Sequence, residues 1–215
     1  MENNVKQYKN FLLQENDKTN LVSRKTVAEE IDMHIEDSQK VFERWSLEKQ
    51  EIIDVGSGAG FPGLIMAISR QENTYTLLES ELKKYQFLSQ AVQLLKMSHV
   101  QVIRGRAEEL GHDNAYREHF DVATSRAVAA MRVVIEYCLP LTRVGGMVLL
   151  WKGPRYEEEI EQSTHALKVL GGKVEEIYLY QLGEDRQRAI IQIRKHQQTP
   201  ERYPRRTGLP VKRPL

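Results

Sequence analysis

The chain has 215 residues, 40% of them apolar and 28% charged, which suits one well-buried core and excludes two large ones. No stretch reaches the roughly 18 uninterrupted apolar residues of a membrane helix, and the polar start Met1-Glu2-Asn3-Asn4 lacks the pattern of a secretory signal, so the expected location is the cytoplasm. The net charge of +1 hides an asymmetry: residues 186–215 hold nine Lys or Arg against the single acid Glu201, a net of +8 that leaves −7 on the first 185 and suggests a polyanionic partner such as nucleic acid.

Residues 1 to about 45 are expected to be helical. Tyr8, Phe11 and Leu12 have helical spacing, Val27, Ile31 and Ile35 repeat every four residues, and a break falls near Thr19-Asn20. From Glu51 onward strand and helix patterns alternate. Residues 52–55 form a short apolar strand that runs into glycines, and residues 61–69 read as a helix with Pro62 in its first turn, where a missing N–H is harmless. A strand at 75–79 precedes a helical stripe of Leu82, Tyr85, Leu88, Val92 and Leu95. Residues 100–103 and 120–124 are further strands. Residues 128–139 predict a strongly apolar helix closed by Pro140. Cys138, the only cysteine, sits inside it as a small buried hydrophobe, and its solitude excludes an internal disulfide. Residues 147–151 are an uninterrupted apolar strand, as where helices cover both sheet faces. Tyr156, Ile160, Ser163, Leu167 and Leu170 predict one amphipathic helix stopped by Gly171-Gly172. Strands at 174–180 and 189–193 flank the polar turn Gly183-Glu184-Asp185 and predict an antiparallel hairpin.

This order predicts an α/β fold with a doubly wound, mostly parallel seven-stranded sheet and right-handed crossovers, ended by an antiparallel C-terminal hairpin and preceded by N-terminal helices. Three segments are expected: a helical extension over 1–45, a central domain over 46–195 and a basic, proline-punctuated tail over 196–215. No solenoid repeat is present.

The most informative segment is 54–63, Asp-Val-Gly-Ser-Gly-Ala-Gly-Phe-Pro-Gly. Glycines between a strand and a helix let backbone approach a ligand without Cβ obstruction, at the strand ends where α/β sheets bind ligands. Two frames overlap. Gly58-x-Gly60-x-x-Gly63 fits a dinucleotide fingerprint whose helix receives a pyrophosphate. Asp54-x-Gly56-x-Gly58-x-Gly60 instead puts an acid before the first glycine, which suits a cationic methionyl amine or sulfonium. Glu79, ending the second strand, can accept ribose hydroxyls in either frame. Ala107-Glu108 follows the third strand, where an adenine edge is read. A dehydrogenase needs a substrate domain with its own acid–base group, and no residues remain to build one.

These residues, together with several others, resemble one family. Asp54 to Gly63, Leu77-Leu78-Glu79-Ser80 with Lys83-Lys84, and Gly105-Arg106-Ala107-Glu108-Glu109 carry the likeness. So do Thr124-Ser125-Arg126-Ala127-Val128-Ala129, Trp151-Lys152-Gly153, and the tail Tyr203-Pro204-Arg205-Arg206-x-Gly208-x-Pro210-x-Lys212-x-Pro214-Leu215, with Asn20-Leu21 and His34-x-x-Asp37-Ser38 upstream. The chain resembles the bacterial small-subunit rRNA guanine-N7 methyltransferases, the glucose-inhibited division protein B family, over nearly its whole length. The segment before Asn20-Leu21 is shorter than is usual there.

The resemblance implies a Rossmann-like class I methyltransferase that uses S-adenosylmethionine to make 7-methylguanosine in 16S rRNA near the decoding region, with rRNA or the small ribosomal subunit as partner; a monomer is expected, although the sequence does not determine the oligomeric state. It implies cofactor contacts at Gly56, Phe61, Ala107, Glu108 and Arg126, which join Asp54, Gly58, Gly60 and Glu79 from the turn. Guanine N7 has a free lone pair, so no catalytic base is assigned, and alignment with reacting atoms roughly 3–3.5 Å apart is the main task. His34, Asp37 and Ser38 share one helix face. Parallel projection from one helix argues against a nucleophilic relay and for lining an acceptor pocket, with helix-surface hydrogen bonding as the alternative. Substrate contacts are expected at Asn20, His34, Asp37 and Lys152, and at Arg205, Arg206 and Lys212 of the extended tail, which could follow a phosphate backbone. The alternative is a tail packed on the sheet. Trp151 reads as core packing, or with Phe61 as a stacking surface for the base. No metal ligand spacing is present. Alternatives for the whole chain are a methyltransferase with another acceptor, or a non-catalytic RNA-binding ribosome assembly factor.

Overall fold

The computed structural model describes residues 2–19, 21–22 and 28–215. Seven strands, β1 (Glu51–Val55), β2 (Thr74–Glu79), β3 (Val100–Arg104), β4 (Phe120–Arg126), β5 (Thr142–Lys152), β6 (Gly172–Leu182) and β7 (Arg186–Lys195), form one sheet in the order β3-β2-β1-β4-β5-β7-β6. The first five pair in parallel, and β7 runs antiparallel to both β5 and β6. Chain direction across the sheet reverses between β1 and β4, so a ligand crevice is expected above their carboxyl ends.

Strand alternation divides adjacent residues between two cores. Ile52, Leu77, Leu149 and Ile190 face one apolar cluster, and their neighbours Ile53, Leu78, Leu150 and Ile191 face the other. The first cluster is covered by α1 (Glu2–Thr19), α2 (Ala28–Gln39), α3 (Gly63–Ser69) and α4 (Leu82–Leu94), and the second by α5 (Ala107–Leu110), α6 (Met131–Cys138), α7 (Tyr156–Gln162) and α8 (Thr164–Leu170). A last short helix, α9 (Leu209–Lys212), lies in the tail. Full burial of each Leu or Ile contributes roughly 1.5–3 kcal/mol. Tyr8 and Leu12 of α1 are fully buried in the same cluster as β1, so the N-terminal helices share the core of the sheet. No helix among the described residues is long and apolar enough to cross a membrane.

Four local expectations are corrected. The helix predicted from Phe61 starts at Gly63, because Gly60 has φ +105°, outside helical space. Leu82 opens α4 but is 43% exposed, so the buried stripe begins lower, at Phe87 and Leu88. The helix predicted from Val128 starts at Met131, since Ala127 takes φ +58°, outside helical space. The single helix predicted over 156–170 breaks at Ser163, whose hydroxyl donates to the Glu159 carbonyl, a contact that bends helices.

Candidate functional site

At the end of β1 the backbone makes three positive-φ glycines in five residues, Gly56, Gly58 and Gly60. Their surroundings separate them. A Cβ on Gly56 would lie 2.5 Å from Val128 Cγ2, and one on Gly58 would meet nothing but its own turn at 3.9 Å. These two face a cavity. Gly60 is turned inward, where a Cβ would meet Leu64 at 2.9 Å, and a Cβ on Gly63 would strike Asp54 at 2.5 Å. Gly60, expected beside a cofactor, is a packing glycine instead, as is Gly63.

The turn's amides are already engaged. Gly56 N and Ser57 N donate to Leu78 O, Gly60 N and Phe61 N to Ser57 O, Gly58 N to Glu79 Oε2 (2.9 Å), and Gly63 N to Asp54 Oδ2 (3.2 Å). A pyrophosphate needs free amides; here those of Gly56, Ser57, Gly58, Gly60 and Phe61 already have partners within the protein. The geometry disfavours the dinucleotide frame.

Asp54 is 1% exposed and lines none of the cavities described here. Its other oxygen accepts from Thr124 Oγ1 at 2.7 Å, tying β1 to β4. Burial pushes its pKa up to about 6 against those hydrogen bonds. Direct contact with a methionyl amine, expected from its position, is replaced by a role beneath the turn. The physical reason is that Asp54 is buried under the turn, away from the cavities, where its oxygens satisfy buried donors.

Three cavities meet over the sheet, sharing Val128. The first, of about 190 Å³, is lined by Gly56, Ser80, Ala107, Glu108, Tyr137 and Val211 among others. Burial and then the Glu108 carboxylate push the Tyr137 hydroxyl up to about 12. The second, of about 450 Å³, takes in Gly56, Gly58, Phe61, Glu79, His34 and Arg126. Glu79 is nearly buried, and backbone amides of Gly58 and Glu81 fix its two oxygens. The remaining lone pairs can accept a diol.

The third cavity, of about 400 Å³, includes Asp37, Arg126, Trp151, Lys152, Glu159 and Arg188. Arg126 stands between it and the second. Its guanidinium lies 5.1 Å from the Phe61 ring centroid and pairs with Asp37. Asp37 is 4% exposed and also accepts from Tyr180 Oη at 2.7 Å, while its carbonyl accepts from the Trp151 indole at 2.8 Å. Trp151 is thus a core residue whose edge reaches the cavity. The His34 ring sits 5.3 Å from Phe61, and burial followed by Arg126 lowers its pKa. Ser38 is fully buried and donates to His34 O in its own helix, so the three α2 residues make no relay and Ser38 stays out of the cavity. Lys152 Nζ binds Glu159 Oε2 (2.8 Å) and Ala129 O (3.2 Å), and the same Glu159 oxygen caps Met131 N.

In the tail, Arg205 grips the fully buried Glu136 of α6 through Nε (2.8 Å), Nη2 (2.6 Å) and its own backbone amide (2.8 Å). Arg205, expected at RNA, is thus engaged within the protein, since a buried carboxylate stripped of water requires its partner. Arg206 and Lys212 are exposed. Asn20 lies outside the described residues. Sequence reasoning missed Tyr137, Arg186, Arg188 and Val211 as cavity residues. Arg186 and Arg188 follow the Gly183 turn on β7, whose register sets Ala189 against Lys152 and carries them to the mouth. A surplus of arginine after that turn was the only available signal.

The family model described as rRNA small subunit methyltransferase G (GidB) matches residues 1–191. A ribosomal RNA small subunit methyltransferase G of Syntrophomonas wolfei is 48% identical over 215 residues, covering 100% of both chains. One of Moorella thermoacetica is 40% identical over 98% of this chain and 89% of its own. Among solved structures, M. jannaschii TYW2 in complex with AdoMet matches with a TM-score of 0.60 at 15% identity over 76% of each chain. A precorrin-6y C5,15-methyltransferase of Geobacter metallireducens gives 0.54 at 11% identity, over 81% of this chain and 92% of that one. At such identities the structures speak to the fold, whereas the sequence matches span nearly the whole chain. The chain belongs to the GidB family, rRNA small subunit methyltransferase G.

Proposed function

We propose that this chain transfers the methyl group of S-adenosylmethionine to N7 of a guanine in 16S rRNA of the small subunit, in the cytoplasm. Full-length family membership carries this reading, and the convergence of three cavities on Val128 supports it. The cofactor's adenosine is assigned to the cavity of Gly56, Ala107 and Glu108, with Glu79 on the ribose. Its methionyl end is assigned to Gly58, Phe61 and Arg126. The fit rests on Gly56, where any side chain would collide with Val128, and on Glu79, whose fixed carboxylate lines the crevice and can accept the ribose hydroxyls.

S-adenosylmethionine supplies an electrophilic methyl carbon on a sulfonium. The chain's own part is positional. Guanine N7 brings its lone pair, so Asp37, with both oxygens engaged, is not required as a base. His34, Asp37, Trp151 and Lys152 line the guanine's cavity and hold its plane. The Arg126–Asp37 pair would keep the junction between the two cavities near neutral when a sulfonium is bound beside it. Arg186 and Arg188 at the mouth, with exposed Arg206 and Lys212, face flanking phosphates. A guanine in folded RNA reaches the cavity by extrusion or from an open loop.

Incubation of the protein with undermethylated small subunits and methyl-labelled cofactor is expected to yield labelled 7-methylguanosine in nuclease digests. Label on another base, on protein or on a small molecule would overturn the assignment.

A further inference from the structure

The segment after residue 195 lies beyond the part of the chain matched by the family model, and its composition reads as an extended arm following a phosphate backbone, with packing on the sheet as the alternative. The structure gives it different work. Thr199 N donates to Glu118 Oε1 (2.9 Å) and Thr199 Oγ1 to Leu170 O (2.9 Å). Arg117 donates to Thr199 O and Tyr203 O at 2.7 and 2.8 Å, and His112 Nε2 to Pro204 O at 2.6 Å. Pro204 packs so closely on Gly111 that a Cβ there would meet its ring at 2.6 Å. The tail is locked down at both the end of α5 and the flank of α6.

Its later half reaches the first cavity. Gly208 N donates to Glu108 Oε1 at 3.0 Å, so the tail fixes the acid beside which an adenine edge is read. Arg205 holds Glu136, the residue preceding the cavity-lining Tyr137, and donates through Nη1 to Arg213 O at 2.7 Å, which closes the segment 205–213 into a loop. On that loop Val211 is 60% exposed and yet lines the cavity with Val55, Leu78 and Ala107. An apolar side chain presented to an open cavity on a firmly anchored loop is suited to the flat apolar face of a purine. All three nitrogens of the Arg205 guanidinium make a bond inside the protein, two of them to Glu136.

We infer that residues 199–215 are a wall of the adenine end of the cofactor cavity, anchored by Arg205 on Glu136 and touching the base through Val211. The inference rests on assigning that cavity to the cofactor's adenosine. The outward side chains of Arg206 and Lys212 stay available to RNA, so one segment serves both ligands on opposite faces.

The test is calorimetric binding of S-adenosylmethionine and of adenosine alone to the full chain. Val211→Glu, at an exposed position that the fold tolerates, is expected to weaken both about tenfold, which is 1.4 kcal/mol. Arg205→Ala, checked for folding by circular dichroism, is expected to act in the same direction. The double variant Arg206→Ala/Lys212→Ala is expected to weaken RNA binding and to leave cofactor affinity at the wild-type value. Saturating adenosine is also expected to slow tryptic cleavage after Lys212, whereas methionine leaves it unchanged. Wild-type affinity for adenosine in folded Val211→Glu and Arg205→Ala overturns the wall assignment alone. Failure of the wild-type chain to bind S-adenosylmethionine overturns the cofactor reading beneath it.

Discussion

Arg126 shows how much one residue of this site depends on its neighbours. Its charge is balanced by Asp37, its guanidinium carbon sits over the Phe61 ring, and Tyr180 holds the far oxygen of Asp37. Arg126→Ala leaves a carboxylate at 4% exposure without its counter-charge, and breaking a buried pair from one side costs about 3–5 kcal/mol. Urea unfolding is expected to register that loss. Removing both charges, as Arg126→Met with Asp37→Asn, is expected to recover most of it. Recovery of nothing would mean that the pair is incidental to stability. Both residues were marked from the sequence as site residues, but their pairing across 89 positions could not be read there, because side-chain spacing along the chain says nothing of which elements the sheet brings together.

At the scale of the element, the turn between β1 and α3 separates glycines that a motif treats alike. Gly56 and Gly58 face the crevice, whereas Gly60 and Gly63 let Leu64 and Asp54 come close. Gly63→Ala places a methyl 2.5 Å from Asp54 Cβ, and overpacking of this kind costs about 1–3 kcal/mol. The expected result is a lower denaturation midpoint together with weaker cofactor binding, since the displaced carboxylate also holds Thr124. A variant as stable as wild type would remove Asp54 from its assigned place beneath the turn. The bend after β4 is the second such element. Ala127 in left-handed space delays α6 by three residues from its apolar start, and the freed loop carries Val128 and Ala129 to the cavities.

For the molecule as a whole, burial of Asp54 couples stability to pH. Its folded pKa of about 6 lies above the ordinary 3.8, so between the two the folded chain holds a proton that the unfolded chain has lost. The contribution is full below 3.8 and is lost as pH rises through about 6, an effect of about 3 kcal/mol. His34 acts in the opposite sense. Its lowered pKa gives stability that is present above 6.5 and lost as pH falls. Comparing wild type with Asp54→Asn isolates the first effect: the stability difference between them is expected to move by that amount in favour of the variant from pH 4 to 7.5 in urea titrations. Parallel profiles would show Asp54 ionising freely.

The alternation of apolar runs with helical stripes was enough to place all seven strands, because period-2 and period-3.6 burial are written locally. The glycine turn and Glu79 were legible for the same reason, as strand-end positions in an alternating α/β chain. Helix starts at Met131 and Gly63 were not, since a single positive φ overrides apolar patterning there. The tail was read by its charge, and charge does not reveal that Glu136, fully buried on α6, would claim Arg205. Tertiary structure alone decided which cations are left exposed, which glycines face a cavity, and that Val211 and Tyr137 border the same one. Each of those depends on contacts between segments tens of residues apart, and only the folded sheet fixes them.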